Sequence, residues 1–589
     1  MAVNTEIAQV NLHHAAAASG VITSRFTAEK LGMLLIHRGE VKGLKMETNK
    51  VYWDLSSEIP RTCIVVRNNI DFFCISEFLT QDLVAVQARD FEGKDFVLAS
   101  AYFPGEAATA PPEVVERLME HCRRHRFPLI KGCDANAHHS EWGSIDCNVR
   151  EILNSMKEKE AEYGGLFLSW IGPFPIAVVS EPQIAKDILT SPNCVNKSFV
   201  YKGVEDATGP GLFTINEPEW SYHRKLLNPA FGHKILLNFI PIFNKEVDHL
   251  MEVFKTITDV DGVDLVPILQ KFTLKIATQT TMGQNLKHHG SAVDESLLQS
   301  FPYVQETITE MGTLSWLSMK AMIWILGDYE QYKRSKTAIR KFIGNLITAR
   351  TKTLPDQLKL DGNIFINRAI ELLQQGRFSR KNVEDESIVI VFGAFETTAT
   401  TLKHILILLA MHPQCQERAF EEVSSLWPES GSFEMNYSDI QKLSYVSMVI
   451  DETMRVMATV PVVGRQLLSD TKLSNGVVLP KGIQVLIDIF NMQRREDIWG
   501  TEAHLFNPEN FLPSNIDSKH SYAYIPFTKG IRNCIGSKYA LLSLKIAVSK
   551  LVRNFRFTTD FQYNNLHFVE NITIKLKQTP LIRIHKRQM

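Results

Sequence analysis

The chain has 589 residues, too many for one compact core, so more than one domain is expected. A 44% hydrophobic and 22% charged composition is that of a globular protein, and 64 basic against 65 acidic side chains give a formal net charge of −1, which excludes recognition of nucleic acid or anionic membranes by overall charge. Eight cysteines without a C-x-x-C pair fit a reducing compartment and exclude an evident zinc site or disulfide framework.

The opening residues, MAVNTEIAQVNLHH, do not read as a signal peptide. Nothing in residues 1–60 approaches the ~20 apolar residues that a spanning helix needs. Short β-like runs follow, TCIVVRNN, LVAVQARDF, DFVLASAYFP and FPLIKGCDANAHH, each rich in β-branched residues and bounded by turn formers. Near residues 149–152 the pattern changes, and helical periodicity dominates from 151 to 589. The expected domains are therefore 1–150 and 151–589, with no internal repeat relating them.

Within residues 1–150, the segments RTCIVV, LVAVQ, LASAYFPGE and GCDANAHHSEWGS resemble the endonuclease domain of non-LTR retrotransposons, a branch of the endonuclease/exonuclease/phosphatase fold. The resemblance implies that Asp134 and Asn136 hold metal and phosphate, with Tyr102 beside them; hard oxygen ligands of this kind suit Mg²⁺. That family also needs an upstream metal-binding Glu, where this chain reads LLIHRGEV: His37 and Arg38 occupy the Gln-Glu positions, and Glu40 is poorly placed. Its distal Asp-His base would lie beyond residue 150 and is missing. The expectation is an incomplete α/β sheet with exposed edges, whose site at Tyr102, Asp134 and Asn136 is vestigial because general-base activation and charge stabilisation are lost.

In the second part, YGGLFLSWIGPFPIAVVSEPQIAKDILTS suggests a sheet segment followed by a helix. EWSYHRKLLNPAF sets Trp220 and Arg224 on one helical face at i, i+4. Residues 383–411 suggest one long helix, interrupted mid-way at GAFETTATT, where Glu396, Thr397 and Thr398 fall inside an apolar stretch. Buried polar groups are costly unless paired, and Thr hydroxyls can back-bond to a carbonyl one turn earlier and bend a helix. Ser438-Asp-Ile-Gln441 reads as a capping box opening a helix with Ile440, Leu443, Val446 and Ile450 on one face, which carries Glu452 and Arg455 at i, i+3. Arg465 follows VPVVG, and Asn510 lies in NPENF. Last comes PFTKGIRNCIGSKYA, in which Phe527, Gly530, Arg532, Cys534 and Gly536 fill F-x-x-G-x-R-x-C-x-G. The apolar residues Ala540, Leu541, Leu544, Ala547, Val548, Leu551 and Val552 then recur at helical spacing. Cys534 therefore sits by a helix N-terminus, whose positive dipole end favours a thiolate.

These segments together resemble the cytochrome P-450 superfamily of haem-thiolate monooxygenases, and within it the fatty-acid-hydroxylase clan (family 4), in particular its insect members. The resemblance implies a mainly α fold with small β-sheets over 151–589, lacking the clan's N-terminal membrane anchor. It makes Cys534 the axial iron ligand and Phe527 part of the ligand loop. Trp220, Arg224, Arg465 and Arg532 become propionate contacts, and Glu452 with Arg455 anchors the cysteine loop. Asn510 stands where a third, charged partner is usual. Thr397 would hand a proton to the oxygen being activated, and Glu396 would relay protons from solvent. Ala394 replaces a usual glycine, and Gly393 replaces the glutamate that esterifies haem in mammalian members, so non-covalent haem b is expected.

The resemblance also implies electrons from NADPH through a separate reductase, with cytochrome b5 as a further candidate donor. FTIN, FPYVQETITEMGTLSW, VIVFGAFE and TVPVV are largely apolar and suggest a lipophilic substrate such as a fatty acid, hormone-like lipid or xenobiotic. TLSWLSMKAMIWILG (313–327) suits an interfacial layer or a core, and the expected location is the cytosolic face of the endoplasmic reticulum, held peripherally. The competing readings are a metal-dependent endonuclease at residues 1–150 and a non-functional chimeric product.

Overall fold

A computed structural model describes residues 7–11, 33–37, 49–52, 61–67, 72–89, 95–102, 113–125, 127, 129–134, 152–171, 174–284, 292–313, 329–352, 364–429, 433–569 and 571–587. The chain divides into two units, Met1–Asn148 and Val149–Met589.

In the first unit, β1 (Ile7–Asn11), β2 (Met33–His37), β3 (Asn49–Tyr52) and β4 (Thr62–Arg67) form a sheet ordered β1-β2-β4-β3. A second sheet, β5-β6-β7-β8, joins β5 (Phe72–Leu79), β6 (Leu83–Arg89), β7 (Asp95–Tyr102) and β8 (Leu129–Asp134), with α1 (Glu113–His125) between the last two strands in sequence. Period-2 alternation sorts the apolar residues of β6 onto two faces. Val84 and Val86 pack with Ile64, Val66 and Leu98. Leu83 and Ala85 pack with Ala99 and with Val115, Leu118 and Cys122 of α1. The expected single incomplete sheet is thus two packed sheets and a covering helix, because both faces of the central strands are apolar.

The second unit is mainly helical. Its leading elements are α2 (Ile152–Tyr163), β9 (Leu166–Ile171), β10 (Phe174–Val179), α3 (Pro182–Thr190), α4 (Glu219–Leu227), α5 (Val266–Met282) and α6 (Ala292–Thr313). There follow α7 (Arg380–Met411), α8 (Pro413–Leu426), α9 (Tyr437–Lys442), α10 (Ser444–Val456), β11 (Val462–Gln466), β12 (Gln484–Asp488), α11 (Ser537–Asn554), β13 (Phe568–Val569) and β14 (Lys575–Leu576). The larger sheet is ordered β11-β12-β10-β9, with β10 parallel to β12. The helices share one extended apolar core, in which α7 is sunk along most of its length. No helix among the described residues is long and apolar enough to cross a membrane.

Two local expectations are corrected. α7 runs unbroken through GAFETTATT, starting from a capping box between Ser379 and Asn382. Its threonines are absorbed by back-bonding, Thr397 Oγ1 to Gly393 O at 2.7 Å and Thr401 Oγ1 to Thr397 O at 2.8 Å. The segment around Ser438 is two helices instead of one. The capping box of α9 is Asn436 with Asp439, two residues before Ser438 and Gln441, and Leu443 leaves helical geometry. α10 then restarts under a borrowed cap, in which the Glu422 carboxylate of α8 accepts from the backbone N–H groups of Ser444, Tyr445 and Val446 at 2.7–2.9 Å. A carboxylate there satisfies orphan donors and meets the positive helix end.

Candidate haem site

The cysteine loop is a tight turn fixed at both ends. Cys534 N donates to Phe527 O at 3.0 Å, and Gly530 adopts φ +78°. A Cβ on Gly530 would lie 1.9 Å from the Leu189 carbonyl oxygen at the end of α3, so only glycine lets the two backbones meet. Beyond the loop, Gly536 opens α11. The Cys534 side chain is solvent-accessible, yet desolvation by surrounding protein pushes its thiol pKa up, against the Gly536 backbone N–H and Arg224. A side chain both accessible and desolvated lines an internal hollow. Gly393 and Thr397 are likewise accessible although α7 is buried along most of its length, and a Cβ on Gly393 would meet nothing within 4 Å.

On one side of this hollow, positive charge accumulates. Arg465 and Arg532 are buried. Arg532 donates to Ile215 O at 2.8 Å and stacks over the Trp220 ring, 4.5 Å from its centroid. Arg465 donates to Gly464 O at 2.9 Å. A third cation, Lys197, lies 4.4 Å from the Tyr201 ring centroid and 4.6 Å from that of Phe213. Burial, then repulsion from Arg465 and Arg532, holds the Lys197 pKa well below its ordinary value. Burial, then Arg465, depresses Arg532 as well. No carboxylate among the described residues hydrogen-bonds to any of the three. Buried charges of one sign call for counter-charge, and the two propionates of a haem would supply it. The donor set, a desolvated thiol and three cations without an ion-pair partner, therefore fits haem.

The remaining predicted residues fall around this centre. Arg224 forks onto the cysteine loop, donating to Asn533 O and Oδ1 at 3.0 Å each, while Trp220 is the platform beneath Arg532. Glu452 and Arg455 are fully buried. Arg455 uses all five N–H donors, to Glu452 Oε2 (2.6 Å) and Oε1 (2.7 Å) and to the carbonyls of Gln493, Ala503 and Leu505. Asn510 gives Glu452 Oε1 one bond of 3.1 Å, and Asn507 N adds another of 2.8 Å. The carboxylate is thus satisfied without a second guanidinium. Glu396 accepts from Gln270 Nε2 and from Thr573 Oγ1, each at 3.2 Å, and Thr573 in turn accepts from Gln305 at 2.8 Å.

In the first unit, the β7–β8 register places Tyr102 opposite Asp134. Tyr102 is buried beneath Arg61, 4.8 Å from its ring centroid. The Asp134 side chain, Asn136, Arg38 and Glu40 lie outside the described residues. Among the described residues no cluster of metal-ligating side chains forms.

Sequence reasoning missed Lys197 and a buried pair, His223 Nδ1 to Glu386 Oε1 at 2.6 Å, whose second carboxylate oxygen accepts from Leu212 N at 3.0 Å. Together they tie α4, α7 and the 209–216 loop. His223 stood inside the W-x-x-H-R segment, but its partner is 163 residues away. The most exacting position is Gly530. A methyl there meets backbone and a left-handed φ, costing at least ~2 kcal/mol. Gly530→Ala is therefore expected to lower the unfolding midpoint and cut the haem-to-protein ratio severalfold, read by thermal unfolding and pyridine haemochrome assay.

Comparison with known proteins agrees with this geometry. The family model described as cytochrome P450 matches residues 142–581. Probable cytochrome P450 313a4 of Drosophila melanogaster is 50% identical over 442 residues, covering 74% of this chain and 90% of that protein. Probable cytochrome P450 313a3 of the same species is 40% identical over 428 residues, covering 72% and 87%. Both carry a 313 designation where family 4 was expected. The crystal structure of a cytochrome P450, CYP102L1, shares the fold with a TM-score of 0.63 at 20% identity, covering 74% of this chain and 98% of its own. A cysteine loop set against an uncompensated cationic pocket is what such a fold needs to hold its iron, and the chain belongs to the cytochrome P450 family of haem-thiolate monooxygenases.

Proposed function

We propose that this chain inserts one oxygen atom of O₂ into a lipophilic substrate, of the fatty-acid, hormone-like lipid or xenobiotic kind, in the manner of the family 4 clan. Electrons would come from NADPH through a separate reductase, with cytochrome b5 as a further donor. The observation that carries the reading is the enclosed Cys534 together with two buried guanidiniums, Arg465 and Arg532, and the desolvated Lys197, none of which has a carboxylate partner. Haem bound through a thiolate supplies O–O cleavage and oxygen transfer. The chain's own side chains do the rest. Cys534 ligates; Lys197, Arg465 and Arg532 neutralise propionates, and Arg224 braces the ligand loop from Asn533. Gly393 offers no carboxylate, which supports non-covalent haem b. Thr397, now donating to Gly393 O, must release that carbonyl to pass on a proton, and Glu396 beside it would relay protons from solvent. Phe392 on α7 is half-buried and lies 5.9 Å from each of the buried rings of Phe301 and Phe395, which supports an apolar substrate wall.

The reduced protein with carbon monoxide should show the red-shifted Soret band of a thiolate-ligated haem, and Cys534→Ala should lose it. A band that survives the substitution would overturn the ligand assignment, and a wild type that binds haem without the band would favour the non-functional reading.

For residues 1–150 we infer a retrotransposon endonuclease-like fragment without activity, supported by the missing upstream Glu and by the burial of Tyr102. Plasmid should stay supercoiled with Mg²⁺ or Mn²⁺; nicking that Asp134→Ala abolishes would reverse this. For location we infer peripheral attachment to the cytosolic face of the endoplasmic reticulum. It is supported by the apolar stretch 313–327, which beyond Thr313 lies outside the described residues. Carbonate should release the protein from microsomes, and retention in the pellet would refute peripheral attachment.

A further inference from the structure

Three other elements converge on Glu396 of α7. Its Oε2 accepts from Gln270 Nε2 of α5, and its Oε1 from Thr573 Oγ1 in the turn between β13 and β14, each at 3.2 Å. Thr573 Oγ1 accepts in turn from Gln305 Nε2 of α6 at 2.8 Å. Glu396 is 3% exposed, and Thr573 and Gln305 are 1% exposed each, so the chain of bonds runs out of reach of solvent. Among the described residues no cation pairs with this carboxylate, and its hydrogen-bond donors are neutral.

The direction of the chain is set by its first member. An amide N–H only donates, and a hydroxyl has a single proton to give. With one oxygen lone pair taken by Gln305, the Thr573 proton goes to Glu396 Oε1. The turn that bears Thr573 is itself fixed on two sides. Thr309 Oγ1 donates to Asn571 Oδ1 at 2.5 Å, and Lys575 of β14 pairs with Glu306 at 2.9 Å. Gln305 and Thr309 lie one helical turn apart with Glu306 between them, so one side of α6 supplies all three contacts. Opposite, Ile574 N donates to Thr459 O at 2.9 Å.

Neither oxygen of Glu396 bonds to Thr397, whose hydroxyl goes to Gly393 O. Where the carboxylate points is thus decided by its donors on α5 and on the turn. We infer that Thr573 and Gln305 are positioning residues for Glu396: Thr573 aims the carboxylate, and Gln305 fixes Thr573 as the donor. The inference rests on the reading of Glu396 as the proton relay. Both residues act through Glu396, and their burial keeps them from the substrate.

The test uses the holoenzyme with reductase, NADPH and an ethoxycoumarin probe, reading peroxide released per NADPH consumed. Thr573→Val keeps the shape and removes the donor; it should raise this fraction severalfold and leave the KM of the probe unchanged. Thr573→Ser should restore the wild-type fraction. Gln305→Met should give a smaller rise, because Thr573 keeps its proton but loses the bond that directs it. In a Glu396→Gln background, Thr573→Val should add nothing, since the hydroxyl acts only through that carboxylate. Wild-type coupling in Thr573→Val, no rescue by Thr573→Ser, or the full effect persisting in the Glu396→Gln background would overturn the inference. Glu396→Gln alone separates the two levels. If it leaves coupling intact, the role of Glu396 itself fails; if it uncouples while Thr573→Val does not, only the inference fails.

Unfolding of the same holoprotein supplies a readout without turnover. Thr573→Val leaves a buried carboxylate oxygen without its donor and should lower the unfolding midpoint by about 2 °C. With Glu396→Leu in place that drop should vanish. The same drop in both backgrounds would show that the hydroxyl is not spent on Glu396, and would overturn the inference.

Discussion

Positive charge held out of water without an ion-pair partner is the condition around which the haem domain is organised. Lys197, Arg465 and Arg532 come from three distant stretches of chain, and their mutual repulsion and desolvation work against folding. Aromatic faces ease part of the cost, Tyr201 and Phe213 for Lys197 and Trp220 for Arg532. Backbone carbonyls of Ile215, Phe213 and Gly464 take some of the guanidinium donors. None of these supplies a negative charge. The pocket is therefore poised for a dianionic ligand, and binding of that ligand contributes to the stability of the fold as well as to chemistry.

The surrounding scaffold follows from the need to hold this pocket and the cysteine loop in register. Arg455 joins α10 to the carbonyls of Gln493, Ala503 and Leu505 and leaves no donor free. Glu452 closes the fork and collects Asn507 and Asn510. The loss of charge at Asn510 is tolerated because Glu452 already has a full guanidinium, so a further cation would add attraction but also desolvation. On the opposite side, Glu386 binds His223 and the Leu212 N–H, which fixes the helix bearing Trp220 and Arg224 against α7. Two buried carboxylates thus serve as junctions where several elements meet.

What could be read from the sequence divides by how local each feature is. The cysteine loop was legible because its five fixed positions lie within ten residues, and the glycine at 530 is demanded by a backbone clash that no other residue avoids. The W-x-x-x-R and E-x-x-R pairs were legible because helical spacing brings them together. Lys197 was not, since nothing in NCVNKSFVYKG announces that the lysine turns inward to meet Arg465 and Arg532. The capping box was misread by two residues because Asn436 and Ser438 are both good N-caps, and the tertiary contact from Glu422 decided where the second helix begins. The supposed interruption of α7 was overstated because back-bonding threonines satisfy themselves inside a regular helix. In the first unit, the strands were legible by alternation, but the pairing of two sheets face to face depended on long-range packing of Ile64 and Val66.

The order of the larger sheet has a consequence for how the protein is made. β10 pairs in parallel with β12, and every partner along that ladder is 308 residues away. At ~5–20 residues per second, the ribosome takes roughly 15–60 s to synthesise the intervening stretch. Throughout that interval the apolar β10, with Ile176 and Val178, has β9 on one side and an unfilled edge on the other. Nascent chains of this protein therefore spend a long period with a sticky strand edge that only the C-terminal half can cover, and truncated translation products inherit it as a route to aggregation.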